Sequence, residues 1–237
     1  MESLAAYIPT DRRYALAKGA DLPDQAMGAA LFADISGFTP LTDGLVKALG
    51  PQRGAEELTY WLNKIYDALV ADIDAYRGSV ISFSGDAVTC WFDDQDSETP
   101  SAFRATACAL VIQQTMQQFA QVEIAGVGVI SLAIKAVVTV GPARRFLIGD
   151  PTIQLIDALA GETLYRLATG EHSAERGEVL LDEPAVAVLG EHIEVQDWRK
   201  DSESGERFAV VSRLKVEVEP DLWPTLDADA LSDDLVR

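Results

Sequence analysis

The segment Ala29-Ala30-Leu31-Phe32-Ala33-Asp34-Ile35-Ser36-Gly37-Phe38-Thr39 sets the reading of the whole chain. An apolar run meets an aspartate and then breaks at a glycine before a helix-like stretch begins. A run that is apolar on both faces suits a buried strand, with Asp34 at its C-terminal end. A carboxylate in that place is costly to bury unless something pairs with it. Further on, Val80-Ile81-Ser82-Phe83-Ser84-Gly85-Asp86-Ala87-Val88-Thr89-Cys90-Trp91-Phe92 sets two β-rich runs around a Ser-Gly-Asp turn. That is a hairpin pattern with Asp86 at its tip. Two aspartates at the ends of adjacent strands, with no basic residue beside either in the sequence, suit a hard divalent cation such as magnesium.

Taken singly, Asp34 would serve as a helix N-cap and Asp86 as a turn residue. Their joint placement favours the metal reading. No Gly-x-x-x-x-Gly-Lys-Ser/Thr loop is present, so a nucleotide would not be held in the P-loop manner. A phosphatase-type aspartyl nucleophile would call for a second Asp two residues after Asp34, where Ser36 stands.

The pair Phe32-Ala33-Asp34-Ile35-Ser36-Gly37-Phe38-Thr39 and Ser84-Gly85-Asp86-Ala87 resembles the catalytic domain of the class III nucleotidyl cyclases, most closely the first cyclase domain of the soluble-type adenylate cyclases. The similarity covers residues 26–185. It implies an α+β, ferredoxin-like βαββαβ domain, here 26–215, whose central, mostly antiparallel sheet carries packed helices. It implies that Asp34 and Asp86 are the catalytic pair. With the backbone carbonyl of Ile35 they would bind two Mg2+ ions, Mn2+ or Ca2+ being substitutes. ATP would then be converted to 3′,5′-cyclic AMP and pyrophosphate by attack of its 3′-hydroxyl on the α-phosphate. Two cations can stabilise both the attacking and the leaving oxygens of such an in-line displacement. Ser36, Gly37, Phe38 and Thr39 would lie at the start of the next helix, where free amides and the helix dipole favour phosphate. The family's basic residue six positions before the strand-ending glycine, here Gly141, matches Lys135, which by that resemblance also touches phosphate.

Composition narrows the partners. At 237 residues and 48% apolar, the chain has room for one sizeable core rather than two. A formal charge of −19 and a pI near 4.3 argue against a nucleic-acid or anionic-membrane surface. ATP is itself an anion, so bound cations must reverse the sign locally. Cys90 and Cys108 read as reduced, buried small hydrophobes, which points to a cytoplasmic protein. Residues 1–30 lack the basic start and apolar run of a signal peptide. The most apolar window, 126–141, is rich in β-branched residues and interrupted by Lys135, so it reads as buried strand rather than membrane helix.

Along the chain, residues 1–25 read as an N-terminal extension wrapping onto the domain. A short helix is expected over 41–49, stopping at Gly50-Pro51, and a longer one over 52–76. In the latter, Leu58, Trp61, Leu62, Ile65, Tyr66, Leu69 and Ile73 form a core stripe. The acidic stretch 93–100 reads as a solvated turn capping a helix over 101–119. A strand is expected over 130–140, in which Lys135 is the lone charge; a lone strand Lys is most often an edge or snorkelling residue. A hairpin at 148–151, a helix over 162–171, and strands near 177–181, 193–195 and 208–211 complete the domain. Residues 216–237 read as an acidic tail or linker. Neither His172 nor His192 has a companion at metal spacing.

The chain also departs from the family pattern. Ser82 stands where a base-contacting Lys is expected. Ala158 stands where a base-reading Asp or Thr is expected, with Asp157 one place out of step. Tyr165 and Thr169 replace the expected Asn and Arg, with Arg166 nearby. In the resembled soluble-type enzymes the degenerate copy of the base site in this domain takes bicarbonate and includes that Lys; with Ser82 in its place, bicarbonate activation is not expected. The sequence therefore reads as the metal-bearing half of an adenylate cyclase, with ATP as substrate. A second cyclase domain, in the same longer protein or in a homodimer, would complete it. The other reading is a non-catalytic cyclase-homology module that binds nucleotide or a partner in a regulatory role. A diguanylate-type cyclase would want a Gly-Gly-Asp/Glu-Glu-Phe signature, which the sequence lacks.

Overall fold

The apolar run around Leu31 forms the middle of β1 (Gln25–Ser36), where Ala29, Ala30, Leu31 and Ala33 are all buried. In this computed structural model, which describes residues 8–150 and 153–226, β1 lies between β3 (Ala87–Asp93) and β6 (Ala133–Asp150) and is antiparallel to both. The sheet continues outward to β2 (Ser79–Ser84) on one side, and to β8 (Val179–Asp182), β10 (Arg207–Leu214) and β9 (Ile193–Lys200) on the other. Among the described residues only β6 with β8 is parallel, so the mostly antiparallel α+β architecture is as expected.

Period-two alternation explains how one sheet carries two cores. Leu31, Ala33, Ile35 and Val138 face a large core shared with α3 (Pro51–Ala75), α4 (Ser101–Met116) and α6 (Glu183–Leu189). Ala30, Val137, Leu180 and Phe208 face the other way, against Leu167 of α5 (Glu162–Ser173). In α3, Ile65, Leu69 and Ile73 are buried, while Leu58, Trp61, Leu62 and Tyr66 half-cover the same core. Between β1 and α3 runs α2 (Phe38–Leu49), which begins three residues earlier than the apolar pattern places it. Gly37, at φ +97°, lets the chain pass directly from strand to helix.

The expected strand over 130–140 is divided. β5 (Gly128–Ser131) pairs with β4 (Gln121–Ile124) in a small separate ribbon, and β6 starts afresh at Ala133. Beyond Arg144, β6 leaves β1 and pairs instead with β7 (Gln154–Ala160), forming a projecting arm that exposes Phe146, Leu147, Ile148 and Ile156. Pro151 of the expected hairpin lies outside the described residues.

The acidic stretch acts as a cap: Asp94 Oδ1 accepts from the Ser101 amide at 2.9 Å, at the start of α4. Arg104 of α4, fully buried, donates to the backbone carbonyls of Thr99, Tyr76, Arg77 and Asp93 and so ties loop and helix together. Cys90 and Cys108 are free thiols, both buried. Among the described residues no helix is long and apolar enough to cross a membrane.

Both ends of the described chain are fastened to the body. From α1 (Thr10–Ala17), Asp11 pairs with Arg145 and with Ser79 Oγ at 2.7 Å, and Arg12 Nε pairs with Asp157 Oδ2 at 2.8 Å. Arg145 Nε completes the buried quartet at 2.6 Å from Asp157 Oδ1. The quartet joins α1 to the root of the arm. At the other end, Trp223 stacks on Tyr14 with ring centroids 5.0 Å apart and donates its indole N–H to Gly78 O at 3.1 Å. Asp221 pairs with Arg77 at 3.1 Å.

Candidate active site

Asp34 is two residues from the end of β1, and alternation turns its side chain to the face covered by α5. Lys135 is its direct neighbour across the β1–β6 pairing. Lys135 Nζ lies 3.3 Å from Asp34 Oδ2, 3.4 Å from Glu171 Oε1 and 3.3 Å from the Glu171 carbonyl. Because β6 has β1 on one side and β8 on the other, Lys135 is an interior residue and not the edge residue that a lone strand Lys most often is. Burial raises the pKa of the Asp34 carboxyl; Lys135 opposes this, and the nearby charge of Asp86 adds to it.

Asp86 stands in the turn between β2 and β3, next to Ala87, which pairs across with Asp34. The Ile35 amide donates to Asp86 O at 3.1 Å, binding that turn to the strand end that carries Asp34. The two aspartates therefore sit together. A third residue joins them: Tyr66 of α3 donates its hydroxyl to Gly85 O at 2.9 Å, and its ring meets Phe83 edge-on at 4.9 Å. Burial, with the charges of Asp86 and Asp34, pushes the Tyr66 phenol up to about 12. The helical stripe marks Tyr66 only as core, and no signal in the sequence singles out its hydroxyl or Glu171.

Ser36-Gly37-Phe38-Thr39 forms the passage from β1 into α2. A Cβ at Gly37 would lie 2.4 Å from Ser131 O, so space as well as its positive φ demands glycine. No side chain caps the start of α2, which leaves its first-turn amides for other acceptors.

The donors fit a small divalent cation. Asp34, Asp86 and the Ile35 carbonyl offer hard oxygen donors, and Mg2+ is commonly held by one or two carboxylates with water and substrate phosphate supplying the rest. Burial first, and the charge of Asp86 after it, raise the Asp34 carboxyl, and a bound cation would relieve both. Among the described residues no group of three or more His, Cys, Asp or Glu side chains is arranged as a metal cluster.

The positions where base-reading and transition-state groups are expected look different. Ser82 and Tyr165 are exposed, and Thr169 Oγ1 is turned back to the Tyr165 carbonyl at 3.1 Å. Asp157 is bound by both Arg12 and Arg145. Burial pushes its carboxyl up, but the two guanidinium groups outweigh that and hold it below the usual range. Arg166 Nε meets the buried Asp182 at 2.8 Å and its Nη2 donates to Val140 O at 2.8 Å. Both near-matches are engaged within the domain.

No protein-family model matches the chain. Over 61 residues it is 39% identical to adenylate cyclase type 10 of Rattus norvegicus, a stretch of 26% of this chain and 4% of that much longer protein. Among solved structures, the adenylyl cyclase CyaB from P. aeruginosa superposes with a TM-score of 0.68 at 20% identity, over 81% of this chain and 98% of that one. The guanylyl cyclase Cya2 superposes with a TM-score of 0.65 at 18% identity, over 81% and 94%. The chain has the fold of the class III adenylyl and guanylyl cyclase catalytic domains.

Proposed function

We propose that this chain is the metal-bearing half of a class III cyclase catalytic unit, converting ATP to cyclic AMP and pyrophosphate with a second cyclase domain. The observation that carries this is the meeting of Asp34 and Asp86 at the β1 end and the β2–β3 turn, which the Ile35–Asp86 hydrogen bond holds together. Asp34, Asp86 and Ile35 O would hold the two ions, which would supply charge stabilisation to the attacking and leaving oxygens of an in-line displacement. Lys135 and the passage from β1 into α2, Ser36 to Thr39, orient the phosphates beside the carboxylates. Adenine as the base rests on the sequence similarity to an adenylate cyclase.

The second domain is required because Asp157 and Arg166 are already committed within this one. Where an arginine completes a phosphoryl-transfer site, its absence costs on the order of 10³ to 10⁵ in rate. A homodimer of this chain is accordingly slow. The same commitment favours, as a second reading, a regulatory module that binds nucleotide without turning it over.

The experiment is to measure cyclic AMP and cyclic GMP formation by the chain alone and mixed with a cyclase domain that carries the complementary groups. Negligible turnover alone, cyclic AMP on mixing, and its loss in Asp34→Ala support the proposal. Substantial turnover by the chain alone contradicts the half-site, and nucleotide binding without turnover in any mixture supports the module.

A further inference from the structure

We propose that Lys135 is a built-in counter-ion of Asp34, displaced by an incoming divalent cation, and that Glu171 is the positioning residue that receives the displaced ammonium. The inference deepens the cyclase reading and rests on Asp34 being a metal ligand.

Among the described residues, Lys135 is the basic side chain paired with Asp34. The two side chains are only 18% and 22% exposed, so solvent screens the pair less than it screens a surface ion pair. Without a cation, the ammonium offsets the cost of a half-buried carboxylate. A divalent ion on Asp34 changes the balance, since two positive centres then compete for one carboxylate at contact distance. The ammonium needs somewhere else to rest.

Glu171 supplies that place in two ways. Its Oε1 and its backbone carbonyl both lie within 3.4 Å of Lys135 Nζ. It also belongs to the last turn of α5, where the helix's carbonyl ends favour a cation. The long, flexible Lys stem lets the ammonium leave Asp34 while keeping this second contact. Glu171 thus keeps the charge beside the site, where a phosphate can take it up.

The test is calorimetric titration of Mn2+ into nucleotide-free protein, and separately of Mg-ATP, for the wild type, Asp34→Ala, Lys135→Met, Lys135→Gln, Glu171→Gln and the double variant Lys135→Met/Glu171→Gln. Removing the ammonium is expected to tighten Mn2+ binding by about 2- to 5-fold, the scale of a screened ion pair, while weakening Mg-ATP binding. Glu171→Gln is expected to weaken Mn2+ binding by about 2- to 5-fold, because Lys135 then keeps only the residue 171 backbone carbonyl beside Asp34 and leans more on the Asp34 carboxylate. In the double variant that loss disappears, since Glu171 acts only through Lys135. Unchanged or weaker Mn2+ binding in both Lys135 variants overturns the counter-ion. A Glu171→Gln loss that persists without Lys135 overturns the positioning role. Wild-type binding that is absent, or indifferent to Asp34→Ala, refutes the metal site itself, a failure distinct from the other two.

Discussion

Tyr66 donates its hydroxyl to the carbonyl of Gly85 at 2.9 Å, so a residue midway along α3 holds the turn that carries Asp86. The hydrogen bond does for the β2–β3 turn what the strand ladder does for Asp34. Tyr66→Phe keeps the ring and its edge-on contact with Phe83 but frees the Gly85 carbonyl. A loss of about 1 kcal/mol in stability is expected. Divalent-cation affinity should fall by about 3- to 10-fold as Asp86 gains freedom. Chemical denaturation and metal titration check the two effects separately.

The Asp11–Arg145–Asp157–Arg12 quartet is buried, and breaking such a network by removing one partner leaves an uncompensated charge. Arg12→Met is expected to destabilise the chain by about 3 kcal/mol, read as a lower denaturation midpoint. Asp157→Asn should likewise cost stability while leaving the ratio of ATP to GTP affinity unchanged, because its carboxylate is spent on Arg12 and Arg145. A change in base preference in that variant would return Asp157 to the binding site.

Acid pH acts on two carboxylates with opposite sign. Burial, with the charges of Asp93 and Asp11, raises the Asp96 carboxyl to about 6. Folded Asp96 therefore takes up its proton before the unfolded chain does, and stability rises as pH falls through about 6 towards the ordinary value of 3.8. Asp157 is depressed, so its contribution is complete above 3.8 and is lost as pH falls through its lower folded value. Stability should pass through a maximum on the acid side of neutrality. Asp96→Asn should remove the rise, about 1–2 kcal/mol after allowance for solvent screening, as measured by denaturation at pH 7 and pH 5.

Trp223 joins the C-terminal segment to α1 through its stack on Tyr14 and its bond to Gly78. Trp223→Ala should cost about 2 kcal/mol through lost ring contact and an unpartnered carbonyl. Limited proteolysis of the segment after Val218 should speed up in parallel, whereas an unchanged cleavage rate would show that the clasp contributes nothing.

The central strand was readable because Ala29 to Ala33 are apolar on both faces, and an aspartate ending such a run has few roles. The hairpin at Gly85-Asp86 was readable from its turn chemistry. What periodicity could not supply were partners through space. Tyr66 and Glu171 sit on helices whose spacing gives the face and not the reach of a hydroxyl or carboxylate. Lys135 read most simply as an edge residue because strand order is a property of the whole sheet. The arm beyond Arg144 continues a strand that pattern alone ends near Val140, since its partner β7 and not the core sustains it. The quartet at its root joins Arg12 to Asp157 and Arg145 to Asp11, pairings across the chain that no local motif announces.

The most direct test of the cyclase reading is binding of ATP with Mg2+ or Mn2+ to the wild-type chain, beside Asp34→Ala and Asp86→Ala. Metal-dependent ATP binding that is lost by at least about 10-fold in each variant is the expected result, both carboxylates serving the same ions. ATP binding that ignores the metal, or that survives in both variants, would contradict it.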